Sequence, residues 1–196
     1  MSLAARWRAA WLVLFLSVLA LAPARAPAAE VEGVHLPDAV VVDGETLKLN
    51  GAGVRTKFFF DIYVGALYLA RPARTARDVL AETGPRRVRM VFLYGHVDRE
   101  KMVNGWTEGF EKNQPPQAMA ALRQRLEAFN ALFGDVRRGD VYDLDFLKGG
   151  DTRVTLNGRE LGRIPGRDFQ RALLEVWLGR HPADDDLKGA MLGRGD

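Results

Sequence analysis

The chain has 196 residues, no cysteine, three histidines and a formal net charge of +3. Arg6, Arg8 and Arg25 lie in residues 1–29, which hold no acid; without them 25 basic side chains face 25 acidic ones. A neutral remainder lacks the basic surplus that phosphate contacts require, which excludes nucleic acid as a partner. Zero cysteines and three dispersed histidines (His35, His96, His181) exclude a disulfide framework and speak against structural zinc, so no metal or cofactor is expected.

Arg6 and Arg8 precede a 13-residue apolar run, Ala9 to Leu21, followed by Pro23 and the small residues Ala24, Ala26, Ala28 and Ala29. Charge, apolar core and small-residue stretch in that order form a secretory signal peptide over residues 1–29, cut near Ala28 or Ala29. The run is shorter than the roughly 18–20 residues of a spanning helix, so no stable membrane anchor is expected after cleavage. The destination is periplasmic or secreted. No repeat, low-complexity tract or long linker follows, and residues 30–196 read as one domain.

Within that domain Val40–Val42, the turn pair Asp43-Gly44 and Thr46–Leu49 predict a hairpin. Gly51-Ala52-Gly53 reads as a flexible corner before an apolar stretch from Phe58 to Leu69. Thr75 caps a short helix to Ala81. Arg87–Tyr94 is a strand with Val88, Met90, Phe92 and Tyr94 on one face, while Arg86-Arg87 and Arg137-Arg138 read as solvated loop charges. Asp98 opens a helix to about Asn113, which Pro115-Pro116 breaks. A second helix then carries Met119, Leu122, Leu126 and Phe129 on one face and stops at Gly134. Strands return at Val141–Phe146, Thr152–Leu156 and Arg159–Ile164, the last two joined by Asn157-Gly158. A helix after Pro165-Gly166 buries Phe169, Leu173, Val176 and Trp177, and a final turn or two covers Ala183–Leu192. Hairpin-linked strands with helices in separate blocks define an α+β fold with a large antiparallel sheet and one layer of helices.

The chemistry concentrates around Arg55, which enters the most apolar strand region of the domain. A guanidinium there needs a counter-ion, either a protein carboxylate such as Asp61 or a ligand anion held by its planar fork. No phosphate loop is present, because neither a Lys-Ser/Thr pair nor a helix start follows the glycines. Asp184-Asp185-Asp186 reads as a helix cap, His96 as a surface histidine, and Trp106 as core. No nucleophile–base–acid triad can be assembled by spacing.

Three segments, Gly51-Ala52-Gly53-Val54-Arg55, Tyr63-Val64-Gly65-Ala66-Leu67-Tyr68-Leu69 and Ala172-Leu173-Leu174-Glu175-Val176-Trp177-Leu178-Gly179, resemble the chalcone isomerase superfamily, and most closely its exported bacterial chalcone-isomerase-like branch. The resemblance covers residues 31–193. It implies an open-faced β-sandwich and a cleft between sheet and helices, in which enzymes of the family cyclise chalcones and related members hold a fatty-acid carboxylate with an Arg and a Tyr. Arg55 matches the family's arginine. Tyr63 stands where the enzymes carry Thr and the fatty-acid binders Tyr. The enzymes' further Tyr, Lys, Asn and Ser/Thr fall near Arg99, Met102, Trp106 and Val176, which do not supply those groups; Lys101 is one residue out of register.

The resemblance therefore implies a non-catalytic binding domain for a small amphipathic, fatty-acid-like carboxylate. Arg55 would pair the anion, Tyr63 would donate a hydrogen bond, and Phe58, Phe60 and Trp177 would be pocket walls. Two alternatives stand: an isomerase or intramolecular lyase with another substrate, and a structural or partner-binding envelope module. Eight residues on a straight strand span roughly 26 Å, so Arg55 and Tyr63 meet one ligand only if the chain turns between Lys57 and Asp61.

Overall fold

A computed structural model describes residues 29–194; the signal peptide expected over residues 1–29 lies outside the described residues except for Ala29. The strands are β1 (Ala29–Val31), β2 (Val34–Leu36), β3 (Ala39–Val42), β4 (Glu45–Lys57), β5 (Phe60–Leu69), β6 (Arg86–Phe92), β7 (His96–Val97), β8 (Val136–Arg137), β9 (Val141–Phe146), β10 (Thr152–Leu156) and β11 (Arg159–Ile164). The helices are α1 (Ala76–Ala81), α2 (Arg99–Asn113), α3 (Pro116–Asn130), α4 (Arg167–Leu178) and α5 (Asp185–Met191). Seven strands form one antiparallel sheet in the order β11-β10-β9-β6-β5-β4-β3, and two small two-stranded sheets stand beside it, the hairpin β1-β2 and the pair β7-β8, whose strands flank α2 and α3 in the chain.

Alternation along the strands sends two sets of side chains to opposite faces. Tyr63, Leu67, Val88, Met90, Phe92, Tyr142 and Leu144 meet Phe110, Phe129, Phe169, Leu173 and Trp177 from the helices and build the main core. On the other face Val64, Ala66 and Tyr68 pack with Leu36, Val42 and Leu47 in a smaller cluster. That face continues into a ladder of ions. Arg87 and Arg153 both bond to Asp145, which is wholly buried, and Arg89 grips Asp143 with two bonds of 2.7 and 2.8 Å. The register explains the pairing, because Arg87 lies opposite Asp145 and Arg89 opposite Asp143.

The turn pairs behave as their residue types dictate. Asp43-Gly44 and Asn157-Gly158 all take positive φ, as two-residue hairpin loops require. Thr75 accepts a hydrogen bond from the Asp78 amide and Asp184 from the Leu187 amide, so both act as helix caps.

Three expectations are corrected. Gly51-Ala52-Gly53 is not a corner but the middle of the 13-residue strand β4. The glycines are there because α5 lies on them: a Cβ at Gly51 would stand 2.1 Å from the Ala190 carbonyl oxygen, and one at Gly53 2.5 Å from the Ala190 Cβ. Arg86 and Arg87 are not solvated loop charges. Arg86 is buried and donates to the Val79 and Glu82 carbonyls and to Gln170, while Arg87 belongs to the ion ladder. The helix α3 ends at Asn130, ahead of Gly134, with Ala131 as its cap.

Candidate functional site

Lys57 pairs with Phe60 across a two-residue turn, Phe58-Phe59, so β4 folds straight back into β5. This turn makes Arg55 and Tyr63 direct cross-strand partners on the helix-facing side of the sheet. Next to them the register slips: Thr56 pairs with Asp61, and Ile62 is the extra residue of a bulge. The freed Ile62 carbonyl accepts from the Leu93 and Tyr94 amides, which ties the chain after β6 to the same spot. The Arg55 guanidinium carbon lies 5.7 Å from the centroid of the Tyr63 ring, within cation–π range.

The helix layer is incomplete over this pair. The short helix α5 covers Gly51, Gly53 and Gly65 and is capped by Asp184, whose carboxylate also accepts from the Thr56 amide at 3.0 Å. Beyond it a cavity of about 350 Å³ opens between the sheet and α2, within the size range of small-molecule pockets, about 300–1,000 Å³. Its floor is apolar and buried, from Met90 and Phe92 of β6, Met102 and Trp106 of α2 and Val176 of α4. Its mouth carries exposed groups: Lys57, Phe58, Phe60, Tyr94, His96 and Lys101. Arg55, half-buried, stands between the two zones.

The charges here are asymmetric. Arg55, Lys57 and Lys101 line the cavity, and no carboxylate among the described residues does. Asp61 is engaged by the Thr56 hydroxyl at 3.1 Å, and among the described residues Arg55 forms no ion pair. Lys101 is held by Asp98 at 2.6 Å, and that bond pulls the Asp98 carboxyl below its usual range. The internal Arg55–Asp61 pair is therefore not formed. The half-buried guanidinium keeps its donor fork available to an anion.

Tyr63 is a prepared donor. The Trp177 indole N–H donates to its hydroxyl oxygen at 2.9 Å, deep in the core. That bond uses one lone pair and leaves the phenol proton unassigned. Burial pushes the phenol's pKa up, against the opposing pull of the Arg55 charge and the Trp177 bond, so the group is protonated at neutral pH.

Of the sequence-predicted site residues, Arg55, Tyr63, Phe58 and Phe60 all line the one cavity. Trp177 does not: it is buried behind Tyr63 and acts on the site through its hydrogen bond. The sequence reading missed Trp106 as a wall, and its buried indole N–H has no partner among the described residues. Met102 and Trp106 sit four apart on α2, a spacing that marks a shared helix face but not which face meets a void. Met102, Trp106 and Val176, where the resemblance implies polar groups in the enzymes, are apolar walls here. Arg99 instead donates to the Phe133 carbonyl, away from the cavity lining.

An antiparallel sheet with a single helix layer, and an arginine–tyrosine pair at the mouth of the cleft between them, define an open-faced β-sandwich with a carboxylate-compatible pocket. The chain belongs to the chalcone isomerase-like family, whose model matches residues 28–193. Among solved structures it is similar to a fatty-acid binding protein of Arabidopsis thaliana, with a TM-score of 0.63 at 16% identity over 82% of this chain and 92% of that one. No curated protein matches the sequence.

Proposed function

We propose that this protein is an exported, non-catalytic binding domain of the bacterial chalcone-isomerase-like branch, and that its cavity receives a fatty-acid-like carboxylate. The observation that carries the reading is Arg55, a half-buried cation that forms no ion pair among the described residues and lines an apolar cavity. A carboxylate would complete the fork in charge-assisted bonds, Tyr63 would donate its phenol proton to the same anion, and the alkyl chain would lie against Met90, Phe92, Met102 and Trp106. The name of the Arabidopsis neighbour accords with this reading, although the likeness itself is one of fold.

Catalysis of chalcone cyclisation finds little support. General acid–base or electrostatic help needs polar groups within hydrogen-bond reach of the reacting atoms, and Met102, Trp106 and Val176 supply thioether, ring and methyl surface instead. Native mass spectrometry of delipidated protein titrated with palmitate tests the proposal. Wild type should form a one-to-one adduct that Arg55→Met loses. Equal adducts in both proteins, or none in either, would remove the case for a carboxylate receptor.

A further inference from the structure

The turn that brings Arg55 to Tyr63 is built from an unusual residue type. Phe59 is 96% exposed and Phe58 82%, and Phe60 is more than half exposed, its ring centroid 5.4 Å from that of Tyr94 in a T-shaped pair. Phe58 holds φ at +59°, a left-handed conformation that two-residue turns ordinarily give to Gly or Asn. Folding alone would be served better by a small polar residue at both loop positions. Keeping large rings in water on a strained backbone points to a partner that takes them up.

We propose that the Phe58–Phe60 tip inserts into the interfacial zone of a lipid bilayer and sets the cavity mouth against the membrane, so that the ligand enters from the lipid. This rests on the reading of the cavity as a site for an amphipathic carboxylate. Three features of the tip select lipid over protein. It is a convex two-residue loop, too small for the roughly 1,000 Å² that a specific protein interface buries, whereas an acyl boundary accommodates a protruding aromatic wedge. The charged residues lining the adjoining mouth are Arg55, Lys57 and Lys101, which suit anionic headgroups. Of the nearby carboxylates, Asp98 pairs with Lys101 and Glu108 with Lys112, while Asp61 accepts from the Thr56 hydroxyl and keeps its charge, so Arg55 and Lys57 are the cations left to a headgroup. Finally, the tip rims the cavity itself, since Phe58 and Phe60 are among its lining residues.

Phe59 gives the cleanest test, because it does not line the cavity and touches no core cluster. The mature chain is floated with vesicles of phosphatidylethanolamine and phosphatidylglycerol, and separately with phosphatidylcholine alone. Wild type should partition onto the mixed vesicles at least tenfold more strongly than Phe59→Asp, Phe59→Trp should match wild type, and pure phosphatidylcholine should bind more weakly. Palmitate binding in vesicle-free buffer should be the same for all three, so failure of the membrane contact is distinguished from failure of the pocket. Wild type that does not float with either lipid overturns the proposal. So does Phe59→Asp floating like wild type, or a wild-type dimer on gel filtration that Phe59→Asp abolishes, which would assign the tip to a second copy of the chain.

Discussion

Removing one oxygen tests how the site is wired. Tyr63→Phe deletes the acceptor of the Trp177 N–H, a donor on a side chain only 1% exposed, and leaves it buried without a partner. Stranding such a donor costs about 1–3 kcal/mol. With a urea m-value of about 2 kcal/mol/M, the unfolding midpoint should fall by about 0.5–1.5 M. The same change removes the hydrogen bond to the ligand carboxylate, worth about 1.5–3 kcal/mol, so palmitate affinity by calorimetry should drop about 10–150-fold. Trp177→Phe strands no charge and leaves the phenol free to donate, so it should weaken binding less than Tyr63→Phe does. In the double variant the orphaned donor is gone, and its stability loss should fall short of the sum of the single losses by about 1 kcal/mol. Strictly additive stabilities, or a Tyr63→Phe protein that binds palmitate like wild type, would refute the proposed division of labour between the two residues.

Other consequences follow from the same geometry. Asp145→Ala leaves Arg153 without its carboxylate and Arg87 with Asp143 alone, at 3.3 Å, and should cost about 3–5 kcal/mol in urea unfolding, whereas breaking the exposed Arg163–Glu160 pair should leave the unfolding curve nearly unchanged. Gly51→Ala puts a methyl group into the α5 backbone and should destabilise by about 1–3 kcal/mol, with faster amide exchange concentrated in α5. Burial pushes the Tyr68 phenol up to about 12, above the value of about 10 it has in an unfolded chain. The neutral phenol is thus favoured in the folded state. Its contribution should be complete below about pH 10 and be lost as pH rises through about 12, a decline that Tyr68→Phe should lessen in alkaline unfolding curves.

Where periodicity and turn chemistry agree, the fold was legible in the residues. Val141–Phe146, Thr152–Leu156 and Arg159–Ile164 form strands at those bounds because alternation and the Asn157-Gly158 turn point the same way. Gly51 and Gly53 misled for the opposite reason. Glycine signals backbone freedom locally, but here it answers to the bulk of a helix some 140 residues later, which no local window contains. Arg87 read as a solvated loop charge, but the β6–β9 register sets Asp145 opposite it. Strand register is likewise what turns Arg55 and Tyr63 from distant residues into neighbours. The Trp177–Tyr63 bond joins positions 114 residues apart and leaves no trace in the pattern of α4, where Trp177 is one apolar residue among several.

The central claim concerns where the ligand's charge sits, and carbon-13 NMR of carboxyl-labelled palmitate reads it directly. Bound to wild type, the carboxyl resonance should stay at its ionised position as pH falls through the range in which the free acid protonates, because Arg55 and Tyr63 stabilise the anion. With Arg55→Met that protection should vanish. A wild-type bound carboxyl that protonates as it does in water would mean that the acid group does not meet Arg55, and the account would be wrong.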